Sequence, residues 1–178
     1  MTADDYGHLV MALLGVSLVA AAPGWTRAGR VIWPPFSMAV LLAALAVAGG
    51  APEIDLATEA STAIVVAIAG ALAVVGGGPV TALLFRLVDR DRVDRPDSLE
   101  GAAAVLRGGL WIGMLERLAV FVSLVAAFPE GIAIALAVKG LGRYPQLRAP
   151  GAAERFIIGT FASVLWASAC AGVFLLTR

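Results

Sequence analysis

The sequence predicts an all-α polytopic membrane protein with six transmembrane helices and one amphipathic helix on the cytoplasmic surface. Three observations predict it. Hydrophobic residues make up 60% of the 178-residue chain and charged residues 15%, against about 45–50% and about 25% in a soluble domain. Apolar runs of roughly 20 residues, the length that crosses a hydrocarbon core, recur along the chain. The Lys and Arg residues that lie between those runs fall in alternate connections.

The expected spans form a single transmembrane domain over residues 1–178. The first covers about Tyr6–Ala22 and ends at Pro23-Gly24. The second covers about Trp33–Gly49 and opens on Pro34-Pro35, a pair suited to a first helical turn. The third, about Glu59–Val75, is expected to end at Gly76-Gly77-Gly78. The fourth covers about Ala104–Phe128, the fifth about Glu130–Arg143 and the sixth about Glu154–Leu176. Between the third and fourth, Val80, Leu83, Leu84, Leu87 and Val88 share one face, with Arg86, Asp89 and Arg90 off it. That rhythm predicts a separate surface helix over about 79–90. Asp97 and Glu100 have the spacing of a capping box for the fourth span.

Orientation follows from the basic residues. Arg27 and Arg30 follow span one; Arg86, Arg90, Arg92, Arg95 and Arg107 follow span three; Arg143, Arg148 and Arg155 follow span five. The alternate connections carry Glu53, Asp55, Glu59 and Glu130 and no base. Both termini are expected outside an inner (plasma) membrane, with Arg178 the one dissenting charge. The N-terminal MTADDYGH lacks the basic region of a signal peptide, so the first span is expected to stay in the mature chain.

The stretch WIGMLERLAVF, residues 111–121, places Glu116 and Arg117 inside an apolar run. A lone charge near the bilayer centre costs at least about 2.5–3.5 kcal/mol, so such groups face the bundle interior and find partners. In a hairpin centred on Pro129-Glu130, facing residues have numbers summing to about 259, which sets Glu116 level with Arg143 and one turn from Lys139. Arg117, about 100° around the helix, is expected to snorkel to the cytoplasmic headgroups. Glu116, Lys139 and Arg143 can be a structural register. With Arg117, Arg148, Glu154 and Arg155 they can also form a net basic pocket for an anionic lipid or small solute. A third reading is a polar path for an ion, proton or solute.

Other signals are weaker. Gly109 and Gly113 form a GxxxG, and Gly159, Ser163, Ala167 and Ala171 form a small-residue stripe; both suit close helix packing within the chain or in a homodimer. Cys170 reads as packing. His8 alone cannot build the usual metal site, and no Ser/His/Asp or Cys/His set points to catalysis. No cofactor or nucleic-acid partner is expected.

The blocks Gly109–Arg117, Ala137–Arg143 and Glu154–Thr160 with Ser163 resemble a block in uncharacterised bacterial integral membrane proteins, over about residues 108–165. The resemblance implies that Glu116, Arg117, Lys139, Arg143 and Glu154 belong to one constellation, and implies no activity. The expectation is a membrane protein with an ion-paired, net basic cytoplasmic-side site for an anionic lipid or solute. A transport unit and an accessory subunit of a membrane complex are the alternatives.

Overall fold

The structure, a computed structural model, describes residues 2–56, 58–89, 109–148 and 151–178. Every regular element among them is helical: α1 (Ala3–Ala21), α2 (Trp33–Gly50), α3 (Glu59–Asp89), α4 (Gly109–Val125), α5 (Glu130–Gly142) and α6 (Ala152–Leu176), with 3-10 turns at Ala22–Trp25 and Gln146–Arg148. Residue 90 of the expected surface helix, the Asp97–Glu100 cap and residues 104–108 of the fourth span lie outside the described residues.

Local chemistry sets the boundaries. Thr2 and Asp5 close a reciprocal capping box on α1, with Asp5 N donating to Thr2 Oγ1 (3.3 Å) and Thr2 N donating to Asp5 Oδ2 (2.7 Å). This satisfies two of the donors a helix start leaves free. Pro34 and Pro35 sit in the first turn of α2, where a missing N–H costs nothing. Ser17 and Ser37, both buried, staple α1 to α2. Each hydroxyl donates to the other's carbonyl at 2.9 Å.

The bundle is built around α3 and α6. α1 and α4 also pack on α3, α2 and α4 on α6, and α5 lies against α4. The core holds Leu14, Leu41, Val65, Leu72, Val120 and Val173, all below 2% exposed. Asp55 N donates to the Ala3 carbonyl (3.3 Å) and Leu176 lies against Gly49, so one end of the bundle gathers Asp4, Asp5, Asp55 and Glu59. At the other end Gly24 meets Pro79, and Phe85 meets Gly159.

Among the described residues, four helices (α1 with its 3-10 turn, α2, α3 and α6) are long and apolar enough to cross a membrane, fewer than the six expected. α5 has 13 residues, a length of about 20 Å against a hydrocarbon core of about 30 Å. α4 has 17 among the described residues. The α4–α5 hairpin also stops short of its neighbours. Phe121 packs on Gly70, about 16 Å along α3 from Glu59, and only about 6 Å of α4 remain beyond Phe121. The hairpin's tip therefore lies about 10 Å short of the start of α3.

The separate surface helix is a second correction. α3 runs unbroken for 31 residues through Gly76-Gly77-Gly78 and Pro79. The glycines seat large side chains from other elements, described below, and do not end the helix. The hairpin centre is a third. α4 ends in a Schellman turn, with Phe128 N donating to Ser123 O (2.8 Å), Ala127 N to Leu124 O (3.1 Å), and Ala127 left-handed at φ 53. The turn is thus centred between residues 127 and 128, two positions earlier than expected.

This turn reverses two usual substitution signs. Ala127→Gly removes the Cβ strain of a left-handed residue and is expected to raise stability by up to about 1 kcal/mol. Gly131→Ala would normally help a helix, but a Cβ there would overlap Ser123 Oγ and lie 3.0 Å from Phe128. It is expected to lower stability by about 1–3 kcal/mol. Thermal unfolding in detergent checks both; equal and opposite shifts to these would disprove the turn.

Candidate functional site

Glu116 and Arg117 are both buried, at 5% and 4% exposure, and they do not serve each other. Successive helical residues point about 100° apart, so α4 sends the two charges into different interfaces.

The Glu116 carboxylate faces α5 and α6. Lys139 Nζ donates to Glu116 Oε2 in an ion pair and to Thr160 Oγ1 at 2.9 Å. The ammonium also lies 5.3 Å from the Phe156 ring centre, a cation–π distance. One lysine thus ties α5 to both α4 and α6. The hairpin register explains why the partner is Lys139 and not Arg143: α4 ends at residue 125 and α5 begins at 130, so facing numbers sum to about 255. Glu116 Oε1 is buried and has no hydrogen-bond partner among the described residues.

Arg117 corrects the snorkelling expectation, because its guanidinium turns inward onto α3. Nε and one terminal nitrogen donate to the Val74 carbonyl at 3.1 and 2.9 Å, and the other donates to Ser163 Oγ at 3.4 Å. Two glycines make the room. A Cβ on Gly77 would overlap Arg117 Cδ, and one on Gly113 would lie 3.2 Å from Arg117 Nη1.

α3 needs one such donor before Pro79. Proline has no N–H, so the Val75 carbonyl four residues earlier loses its helical donor, and hydrocarbon supplies none. Trp25 Nε1 donates to Val75 O (3.2 Å). Trp166 Nε1 donates to Leu72 O (3.1 Å), and Thr81 Oγ1 to Gly77 O (2.7 Å). The triple glycine is the seat for these groups: Gly76 underlies Trp166, and Gly78 underlies Trp25 at 2.5 Å from an added Cβ. Trp166 is therefore a buried donor.

The remaining residues of the expected site share the basic end without one centre. Lys139 and Arg143, one turn apart on α5, line a groove of about 200 Å³ with Ile112, Val138 and Gly142. Arg148 lies over Tyr144 at 5.2 Å, and Arg155 over Phe85 at 5.9 Å. Glu154 stands in the first turn of α6. The small-residue stripe faces inward: Ser163 holds Arg117, Ala167 and Ala171 are buried in the core, and Gly159 receives Phe85. Thr160, Val74 and the glycine seat carry no charge, so charge patterning alone did not single them out.

Among the described residues, fold and site together define an all-helical bundle with four helices long and apolar enough to cross a membrane and two buried charges midway along the first helix of a short hairpin. No family model, curated protein or solved structure matches the chain.

Two measurements check these contacts. Glu116→Gln or Lys139→Met alone strands a buried charge and is expected to cost about 3–5 kcal/mol, whereas the double variant recovers most of that loss. Additive losses in detergent unfolding would rule the pair out. Gly77→Ala is expected to cost about 1–3 kcal/mol. Gly140→Ala, where an added Cβ meets nothing within 4 Å, is expected to be neutral or stabilising. Equal effects would contradict the seat.

Proposed function

We propose that this chain is a small multi-pass membrane protein that binds an anionic headgroup or small solute at its basic end, in the groove between α4 and α5. The observation that carries the reading is Arg143. It lines that groove beside Lys139, is half-buried, and pairs with no carboxylate among the described residues. Lys139 is already neutralised by Glu116, so the groove keeps a net positive charge. A partly desolvated guanidinium favours a planar or tetrahedral oxyanion. Basic pockets between helices at the cytoplasmic face are a known means of holding lipid headgroups. Arg117 is not among the ligands in this reading, because its donors are spent on Val74 and Ser163.

The orientation inferred from Lys and Arg puts this end in the cytoplasm and both termini outside. The short hairpin fits that orientation whether it crosses or turns back, since α4 enters and α5 returns to the same side. With four crossing helices, the hairpin is a wedge inserted from the cytoplasmic face. The near-complete burial of Glu116, its side chain 3% exposed, favours binding over permeation through this point. The similarity of residues 108–165 to uncharacterised bacterial membrane proteins belongs to the same reading.

Titration of the purified chain in neutral detergent with short-chain phosphatidylglycerol tests it. Arg143→Ala is expected to weaken binding about fivefold or more, the contribution of one basic residue at a membrane surface. Added salt is expected to weaken the wild type more than the variant. Identical isotherms for wild type and Arg143→Ala would overturn the reading.

A further inference from the structure

The groove also indicates the chemistry of what it holds, and this inference rests on the anion-binding reading above. Ile112 and Glu116 are one turn apart on the same face of α4, as Lys139 and Arg143 are on α5. Ile112, Lys139 and Arg143 line the groove, so the Glu116–Lys139 pair lies one turn deeper, about 5.4 Å beyond its outer turn. There, Glu116 Oε2 accepts from Lys139, while Oε1 is buried with no donor among the described residues. A buried carboxylate oxygen left without a donor loses the hydrogen bonding it had in water.

Charge decides what kind of donor suits it. Glu116, Lys139 and Arg143 sum to one positive charge in a poorly solvated place, where uncompensated charge is costly. One monoanionic phosphodiester against Arg143 cancels it. An ammonium donor to Oε1 would restore the excess, whereas a hydroxyl donates without adding charge. We propose that the ligand is a hydroxyl-bearing phosphate of the phosphoglycerol class. Its phosphate lies against Arg143 and Lys139, and a hydroxyl one turn deeper donates to Glu116 Oε1. The groove's volume of about 200 Å³ suits a headgroup, and Ile112 and Val138 give its walls an apolar character. The source is either a lipid headgroup or a free glycerophosphodiester of the same single charge. α5 has no buried residue, so small movements of that helix can admit the hydroxyl.

The test uses the whole chain in neutral detergent and a ligand series, with Gly142→Leu as the blocking variant. Gly142 lines the groove, and an added Cβ there meets nothing within 4 Å. A leucine at 142 therefore fills the groove without removing a charge or straining the fold. Short-chain phosphatidylglycerol is expected to bind roughly tenfold or more tightly than phosphatidylmethanol, which has the same charge and no free hydroxyl. Phosphatidylethanolamine is expected to bind weakest. Gly142→Leu is expected to abolish binding with an unchanged melting temperature. Competition by water-soluble glycerophosphoglycerol supports a soluble source, and failure to compete supports the lipid. Equal affinity for phosphatidylglycerol and phosphatidylmethanol overturns the hydroxyl assignment and leaves the anion site standing. Wild-type affinity in Gly142→Leu shows the groove is not the site and removes both.

Discussion

A peptide carbonyl removed from water must have a donor, and α3 is the helix where that constraint is hardest to meet. Pro79 removes one backbone donor from it after a run of three glycines, and the Val75 carbonyl is left without its helical partner. Trp25 supplies the missing donor, while Arg117, Trp166 and Thr81 bond to neighbouring carbonyls. These donors come from the α1–α2 connection, α4, α6 and α3 itself. The freed carbonyl and the glycine seat beside it thereby position three surrounding elements. The glycines make this possible, because each lacks the Cβ that would exclude the ring or guanidinium lying on it.

The same logic divides the adjacent charges of α4. Arg117 belongs to the central scaffold and stabilises α3 against α6. Glu116 looks the other way and holds α5, a helix with no buried residue of its own, through Lys139. A charge pair that reads as one feature in the sequence is two attachments in the fold, one rigid and one peripheral. The peripheral attachment carries the surplus positive charge and the open groove. Binding chemistry is easier to place there, since a ligand at α5 does not compete with the bonds that hold the bundle.

The legible part of the site was its charge. Glu116 and Lys139 were identifiable because an ionised group in an apolar run demands a partner on a facing helix. What slipped was register: Arg143 is one turn from the Glu116 pair because Ala127 closes a Schellman turn, and nothing in an alanine announces a left-handed backbone. Arg117 turns inward because the competing attraction is a backbone carbonyl, that of Val74, which carries no residue signature. Gly76-Gly77-Gly78-Pro79 reads as a helix stop by local propensity, yet tertiary contacts with Trp25, Arg117 and Trp166 override that propensity.

Composition and periodicity by themselves determined the class of object: apolar helices of membrane-crossing length, with basic and acidic connections sorted to opposite ends. Those properties are sums over many residues, so no single contact can change them. Only the tertiary structure decided which four helices have that length, where α3 continues, and which cation meets Glu116. Each of these turns on a single backbone angle, a missing Cβ or a carbonyl in need of a donor. Such features acquire an energy only when another element packs against them.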